Sequence, residues 1–506
     1  MNVQLRQISL YIKPAQLYTL TRKLYHINLK YRQTVFQTLE EKFKDVLVQP
    51  TIKKDTWESI RKHVMETNLH SSIVDSILLD VLKQKGLIDV GISYYQFLVK
   101  NNYDLTVPTQ TYFLQLFEHK KTIKEEDKEC ILNIYKHFIS KYKSFEITMS
   151  NTLVKTLCNI GEWEKAIEVI KKFEINDQTF LYQAYNTLIS YLYDYGKADK
   201  AYEYLLICFK RGSSPLEHVY TSYIKYHLKD KFTVNEKIEE LFSLWRQYGI
   251  NPSKETIQEY IEVCNDLGWS AKQTKLEGLQ CTVCKQELLQ TLSDKDYERL
   301  CKVTEQKLIF DHLYYVSNPK EINKFINFVK NGKPYDVVID GLNFIYASTN
   351  GYQQLEQNLI YHRKKGKKVL IIGKKHMRKS IMKMNLQKLA HYFFVDNSSK
   401  DDLFILYAAF ASGKNAKIFS NDLMRQHKYA ITDVEVNTLF KRWQISQQYN
   451  LKNDVQNMNK LTEEIPIDAI VQKQLSCWHI PYMCSSSRLR QRHTSNDNWV
   501  CFNMCP

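Results

Sequence analysis

The first 39 residues contain no aspartate or glutamate. Arg6, Lys13, Arg22, Lys23, Lys30 and Arg32 stand there instead, with leucine, isoleucine and tyrosine between them. A basic, amphipathic, acid-free N-terminus has the composition of a mitochondrial transit peptide. The competing reading is a basic arm that touches RNA. No uninterrupted apolar core of the secretory kind is present, so the eleven cysteines need not imply disulfides. No run approaches the ~18 apolar residues of a membrane span, and no membrane insertion is expected. Three enzyme signatures are also missing: a GxSxG serine elbow, a phosphate-cradling P-loop and an HExxH metalloprotease motif.

What is present narrows the class. A chain of 506 residues with 44% hydrophobic content has room for packed cores in about three domains. Its formal charge of +16 favours a polyanionic partner, nucleic acid first. The 34 tyrosines offer stacking surfaces, although most are expected to pack between helices.

From about 70 to 270 the pattern is helix after helix. Two segments align without a gap at a shift of 35, one from Ser150 and one from Tyr185. Asn151-Thr152-Leu153 repeats as Asn186-Thr187-Leu188, Leu157 as Leu192, Gly161 as Gly196, and Lys165-Ala166 as Lys200-Ala201. A helix, a glycine turn and a second helix fill each unit, and such units bury their apolar faces on their neighbours. Weaker copies begin at Pro108, Ser214 and Asn251, with a further candidate at Ser76. The period and the NTL…G…A pattern resemble pentatricopeptide repeats, which bind single-stranded RNA. In that family one polar residue in the first helix and another at the end of the repeat read a base. Asn151 and Asn186 match the first position, whereas Leu181 and Leu216 fall at the second. Leucine cannot read a base edge, so shape and backbone recognition fit better. A helical scaffold for protein contacts is the plainer alternative.

From Tyr335 the pattern changes. YDVVI, KKVLIIG, HYFFVD and KIFS read as strands, with LEQNLIYHRKK, IMKMNLQKLA and DDLFILYAAFA as helices between them. That alternation predicts a three-layer α/β domain around a parallel sheet. Residues from about 300 to 330 and from 434 to 450 read as helical, and the last thirty residues as irregular. Asp340 ends the first strand, Asp401 and Asp402 open a helix, and Asp422 follows the last strand. The carboxyl ends of parallel strands face one crevice, where four carboxylates would repel one another unless a cation sat among them. Oxygen ligands of this kind suit magnesium or manganese. Taken singly, Ser399 to Asp402 also fits a helix capping box, and Asp422 an Asx turn. Gly341 lets the backbone turn sharply there, and Asn343 lies where it could hold a metal-bound water. Two cations about 4 Å apart can activate water and stabilise a leaving oxygen during phosphodiester hydrolysis.

Cys281 and Cys284 form a CxxC, half of a zinc site. Trp478-His479-Ile480-Pro481 and Trp499-Val500-Cys501 could supply the other half, a Cys₃His set. Cys477, Cys484, His493 and Cys505 are competing donors. Basic clusters at Lys364-Lys365 with Lys367-Lys368, at Lys374-Lys375 with Arg378-Lys379, and at Arg488, Arg490 and Arg492 fit RNA or a solvated charged face.

Taken in order, the repeats, the CxxC, VIDGLN at 338–343, DNSSKDDLFILYAA at 396–409, SNDLMRQHK at 420–428, WHIP and WVC resemble protein-only ribonuclease P, and the animal mitochondrial members most. The resemblance implies a multidomain chain: a targeting segment at 1–39, an all-α pentatricopeptide superhelix at 70–270, a split zinc-binding central domain at 271–333 and 466–506, and an NYN/PIN-like metallonuclease domain at 334–465. It implies that Asp340, Asp401, Asp402 and Asp422 bind two catalytic magnesium or manganese ions, and that Cys281, Cys284, His479 and Cys501 hold one structural zinc. His427 matches a family position too, with helix packing as its simplest role. The implied reaction, in the mitochondrial matrix, removes the 5′ leader of precursor tRNA and leaves a 5′ phosphate on the tRNA. A tRNA methyltransferase and a short-chain dehydrogenase are the implied partners.

Overall fold

The computed structural model describes residues 31–49, 52–66, 71–118, 120, 122–142, 146–177, 180–289, 292–306, 318–332, 334–348, 350–397, 399, 401–422, 424, 431, 433–449, 467–468, 470–483 and 498–504. The basic segment up to residue 30, His427, Cys484, Arg488, Arg490, Arg492, His493 and Cys505 lie outside them. Among the described residues no helix is long and apolar enough to cross a membrane. The chain divides into two compact units, 1–205 and 206–506.

The first unit is helical throughout its described residues. Residues 31–42 already belong to it: Val35 and Leu39 are fully buried, and the Arg32 Nε lies 2.7 Å from Asp80. Helices α1 (Lys54–Met65), α2 (Ser71–Gln84), α3 (Ile88–Lys100), α4 (Val107–Gln115), α5 (Glu125–Lys141), α6 (Ile147–Asn159), α7 (Trp163–Asp177) and α8 (Tyr182–Asp194) follow, and α9 (Ala198–Lys210) spans the division. The 35-residue shift is reproduced in the turns. Gly161 and Gly196 both take positive φ, and the next amides, Glu162 N and Lys197 N, donate back to Leu157 O and Leu192 O. This is the Schellman closure, which needs a residue free to go left-handed. The equivalent pairs Leu153 and Leu188, Leu157 and Leu192, and Ala166 and Ala201 are all fully buried, so the repeat in sequence is a repeat of core positions.

The second unit begins with α10 (Glu217–His227), α11 (Val234–Gln247) and α12 (Lys254–Asp266). Strands β1 (Ser270–Thr274), β2 (Leu276–Glu277) and β3 (Gln280–Cys281) come next, then α13 (Asp294–Thr304) and α14 (Pro319–Gly332). An α/β layer follows: β4 (Val337–Asp340), α15 (Gly341–Tyr346), α16 (Gly351–Lys364), β5 (Val369–Lys374), α17 (Arg378–Lys383), β6 (His391–Val395), α18 (Asp402–Ser412), β7 (Lys417–Phe419), α19 (Val434–Gln447) and β8 (Gln448–Tyr449). The five strands are parallel, in the order β6-β5-β4-β7-β8. Their side chains alternate between two cores, as a pleat requires. Val338, Leu370 and Ile372 pack with Phe325 of α14, α18 and α19, whereas Val337, Ile339 and Ile371 pack with Leu355 and Leu359 of α16. Helices therefore cover both faces.

Three expectations need correction. The helix read over 381–390 is only the short α17, because Asn385 takes a left-handed conformation and a 3₁₀ turn follows. The fifth strand, β8, was not foreseen: two residues offer no periodicity. The chain end is not irregular where it is described. β9 (Gln472–Gln474), β10 (Cys477–Pro481) and β11 (Trp499–Asn503) join β1 in an antiparallel sheet ordered β1-β11-β10-β9. That pairing joins segments more than two hundred residues apart, so local pattern could not reveal it.

Candidate metal centres

The order β6-β5-β4-β7-β8 reverses direction between β4 and β7, and ligands of open α/β sheets bind outside the strand ends at such a switch point. Asp340 is the last residue of β4. Helix α18 connects β6 to β7 and packs on β4 and β7, which carries Asp401 and Asp402 at its start to the same end of the sheet. Asp422 lies in the segment leaving β7. All four carboxylates interact: Asp402 feels Asp422, Asp401 and Asp340, and shares a hydrogen bond with Asp422.

The local alternatives fare differently. Asp401 occupies the N-cap of α18 but makes no capping hydrogen bond, and Ser399 Oγ donates to Glu321 Oε2 (2.7 Å). The capping box is not formed. The Asx turn is: Met424 N donates to Asp422 Oδ1 at 2.6 Å. Gly341 is needed for closeness, not for an unusual φ. A Cβ there would lie 2.9 Å from Ile371 Cγ2 and 3.0 Å from Ile372 O.

Burial and charge set the electrostatics. Asp340 is 2% exposed, and burial, with Asp401 nearby, pushes its carboxyl up to about 6. Burial and then Asp422, Asp401 and Asp340 push Asp402 well above the usual carboxylate range. Burial and like charge both disfavour the ionised carboxylates, and a cation among them would offset that. The donor set is all oxygen, which fits a hard divalent cation.

Ser420 and Gln448 carried no signal in the sequence, whereas Asn343 and Lys374 did. Asn343 stands where it could hold a metal-bound water, and it holds Asp340. Its backbone N donates to Asp340 Oδ1 at 2.9 Å, and its side-chain amide donates to Oδ2. Ser420 Oγ also donates to Asp340 Oδ2 (2.9 Å). Gln448 Nε2 donates to Ser420 O (3.1 Å) and Asp422 O (2.6 Å), which fixes the loop carrying Asp422. Lys374, buried at the end of β5, lies 3.2 Å from Asp401 Oδ1 and donates to Ser399 O. Its ammonium offsets part of the negative charge. The cluster at 364–368 lies at the other end of β5, away from the carboxylates.

A second centre sits in the antiparallel sheet. His479 and Cys501 face each other across β10 and β11, and Cys281 ends β3. Lys285 N closes the CxxC turn onto Cys281 O at 2.9 Å, with Lys285 itself at positive φ. Ligand atoms of Cys281, Cys284, His479 and Cys501 all lie within 4.8 Å of one another. Cys284 Sγ is 3.1 Å from His479 Nε2, and Thr274 Oγ1 is 3.2 Å from Cys281 Sγ. A hydrogen bond from Cys501 holds the Cys281 thiol far below its ordinary range, and the same bond pushes Cys501 up. Thiols crowded in this way favour a thiolate that a cation would neutralise. Three sulfurs and one imidazole nitrogen form a closed set of the kind structural metal sites use. Cys477 is buried beside it but is not one of the four.

In the first unit, the Asn151 side-chain oxygen accepts from Ala184 N (3.1 Å). Asn186 is fully buried, with its amide donating to Tyr182 O (2.6 Å). Leu181 is buried as well. Asn151 thus joins α6 to α8, Asn186 bonds within α8, and Leu181 is packed away from solvent.

The chain is similar to several known proteins. The mitochondrial ribonuclease P catalytic subunit of Rattus norvegicus is 27% identical over 461 residues, covering 85% of this chain and 75% of the relative. That of Mus musculus is 28% identical over 478 residues, covering 85% and 76%. The crystal structure of nuclear proteinaceous RNase P 2 from Arabidopsis thaliana superposes with a TM-score of 0.53 at 15% identity, over 86% of this chain and all of that one. The family described as protein-only RNase P matches residues 276–501, from β2 through the last cysteine of the sulfur centre, so this part of the chain is similar to that family.

Proposed function

We propose that this protein is a divalent-cation-dependent endoribonuclease that removes the 5′ leader from mitochondrial precursor tRNAs. The observation that carries the reading is the convergence of Asp340, Asp401, Asp402 and Asp422 from three strand ends, with burial and mutual repulsion raising Asp340 and Asp402. Magnesium or manganese held by these four residues, two ions on this reading, would supply the charge that activates water and stabilises the leaving oxygen. The chain itself supplies alignment. Asn343 and Ser420 orient Asp340, and Gln448 orients the loop of Asp422. Lys374 holds one side of Asp401, and its ammonium competes there with any second cation. Among the described residues no side chain is placed as a covalent nucleophile, so one direct displacement by water is proposed.

The remaining parts fit the same reading. The α/β layer is taken as an NYN/PIN-like metallonuclease domain and the helical units as pentatricopeptide repeats. The bond of Asn151 to the next helix and the burial of Asn186 favour recognition of tRNA by shape and backbone. One zinc on Cys281, Cys284, His479 and Cys501 would clip the segment before the α/β layer to the one after it. The acid-free segment expected at 1–39 is proposed as a presequence for the mitochondrial matrix only up to residue 30, since Val35 and Leu39 are buried in the first unit, and the mitochondrial names of the relatives support it. A tRNA methyltransferase and a short-chain dehydrogenase are proposed as partners on family resemblance.

Mapping the products tests this. With magnesium, and with and without those two partners, one mitochondrial precursor tRNA is expected to be cut once, at the mature 5′ end, with a 5′ phosphate on the tRNA. Scattered cuts would indicate a general RNA endonuclease. Absence of cutting under every combination would indicate a non-catalytic RNA-binding protein.

A further inference from the structure

From Gln357 to Val395 the chain has no aspartate or glutamate and eleven lysines or arginines. The fold divides these cations into groups with different tasks. Arg363, Lys364, Lys365, Lys367 and Lys368 sit where α16 ends and β5 begins, a full strand away from the carboxylates. Lys374 and Lys375 pair with Asp401 and Asp396. Lys388 lies on the 3₁₀ turn that follows, and Arg378, Lys379 and Lys383 remain, all on the short α17 and all exposed. Among the described residues none of these three forms an ion pair with a carboxylate.

Their position relative to the candidate active site is fixed by Met377. This buried residue immediately precedes α17. Its Cε would come within 3.2 Å of a Cβ on Gly341, and Gly341 directly follows Asp340. The start of α17 is therefore one side chain away from the end of β4. Direction comes from the sheet order. At the β8 edge, α19 packs beside the helical units of the same compact body, with Lys441 Nζ donating to Gly249 O at 2.6 Å. Strands β5 and β6, with α17 after β5, occupy the other side of β4. A polynucleotide whose tRNA body is held on the side of the helical units would cross Asp340 and continue over α17.

We infer that Arg378 and Lys379 form a binding ledge for the backbone phosphates of the 5′ leader, the strand being discarded. This rests on the functional reading above, because it assumes which side holds the tRNA body. Exposed cations on a rigid turn contact phosphates without reading bases, so the ledge would accept leaders of any sequence.

The test is equilibrium binding of the full chain at several salt concentrations. It compares Asp402→Asn with Asp402→Asn/Arg378→Ala/Lys379→Ala, which removes cleavage from the readout. Two RNAs are used, a precursor tRNA with a leader of about ten nucleotides and the leaderless tRNA. Two lost single-strand phosphate contacts lower the slope of log affinity against log salt by about 1.4. That loss is expected with the leader and not without it. The charge-conserving Arg378→Lys/Lys379→Arg should keep the steeper slope. Equal slopes on both RNAs overturn the ledge, and an equal loss on both overturns its assignment to the leader. Failure of the functional reading is separable. It appears as absence of leader cleavage by the unsubstituted protein, whatever the slopes.

Discussion

Asp402→Asn lowers the single-turnover rate of leader cleavage at least about a hundredfold, while affinity for precursor tRNA stays near that of the unsubstituted chain. Outer-sphere partners of metal ligands already cost about 10–100-fold when removed, and Asp402 is placed as a ligand itself. The carboxamide keeps size and shape but loses the charge. The same substitution has a second, opposite effect on the metal-free protein. Burial and three neighbouring carboxylates raise Asp402 in the folded state above its unfolded value. The folded chain therefore binds more protons than the unfolded one, and stability falls as pH rises from about 4 through neutrality. Asp402→Asn should raise the melting temperature of the metal-free protein at neutral pH and flatten that pH dependence. Saturating magnesium should shrink the gain, because cations stabilise only the chain that binds them. A variant that cleaves at the unsubstituted rate would remove Asp402 from the catalytic site.

Cys284→Ser, or His479→Ala, abolishes zinc binding and loosens the sheet that joins residues 270–274 to 472–503. Structural zinc contributes about 10–16 kcal/mol in zinc-finger peptides. Here part of that is replaced by packing, since Trp499 and Cys501 are fully buried in the same small core. A residual loss of about 3 kcal/mol would still lower the melting temperature by about 6–12 °C. Metal analysis of the purified protein should find about one zinc per chain, and hydrogen exchange in β10 and β11 should rise in the variants. The damage should extend to the α/β layer. Arg442 of α19 donates to the buried Asp468, and Gln472 Nε2 of β9 donates to Asp468 O at 2.8 Å. A zinc-free protein with the same melting temperature as the zinc-loaded one would remove the clip.

Much of this architecture was legible from residue patterns because its signals are local. The apolar runs at 337–339, 369–372 and 391–395 announce strands by themselves. The 35-residue shift announces stacked helix pairs because each Gly turn and each buried leucine recurs. Asp340, Asp401, Asp402 and Asp422 could be singled out because strand ends in a parallel sheet share one edge. What stayed hidden depends on distant partners. Ser420 and Gln448 look like ordinary polar residues until β7 and β8 place them beneath Asp340 and Asp422. Lys374 looks like one member of a basic run, yet it is buried against Asp401. The strand at 499–503 lies between β1, far earlier in the chain, and the strand at 477–481, a pairing that local pattern does not announce. The helix read over 381–390 failed at one residue, Asn385, whose side chain tolerates the left-handed turn that ends α17.

The central claim is that cations held by the four aspartates touch the phosphate being cut. Replacing each non-bridging oxygen of the scissile phosphate in turn with sulfur tests it most directly. Sulfur is a soft ligand that magnesium accepts poorly and manganese or cadmium accepts better. The account predicts that at least one of the two sulfur-substituted precursor tRNAs is cleaved far more slowly in magnesium and recovers in manganese or cadmium. Cleavage that is slowed equally in all three metals, or slowed in none of them, would contradict it.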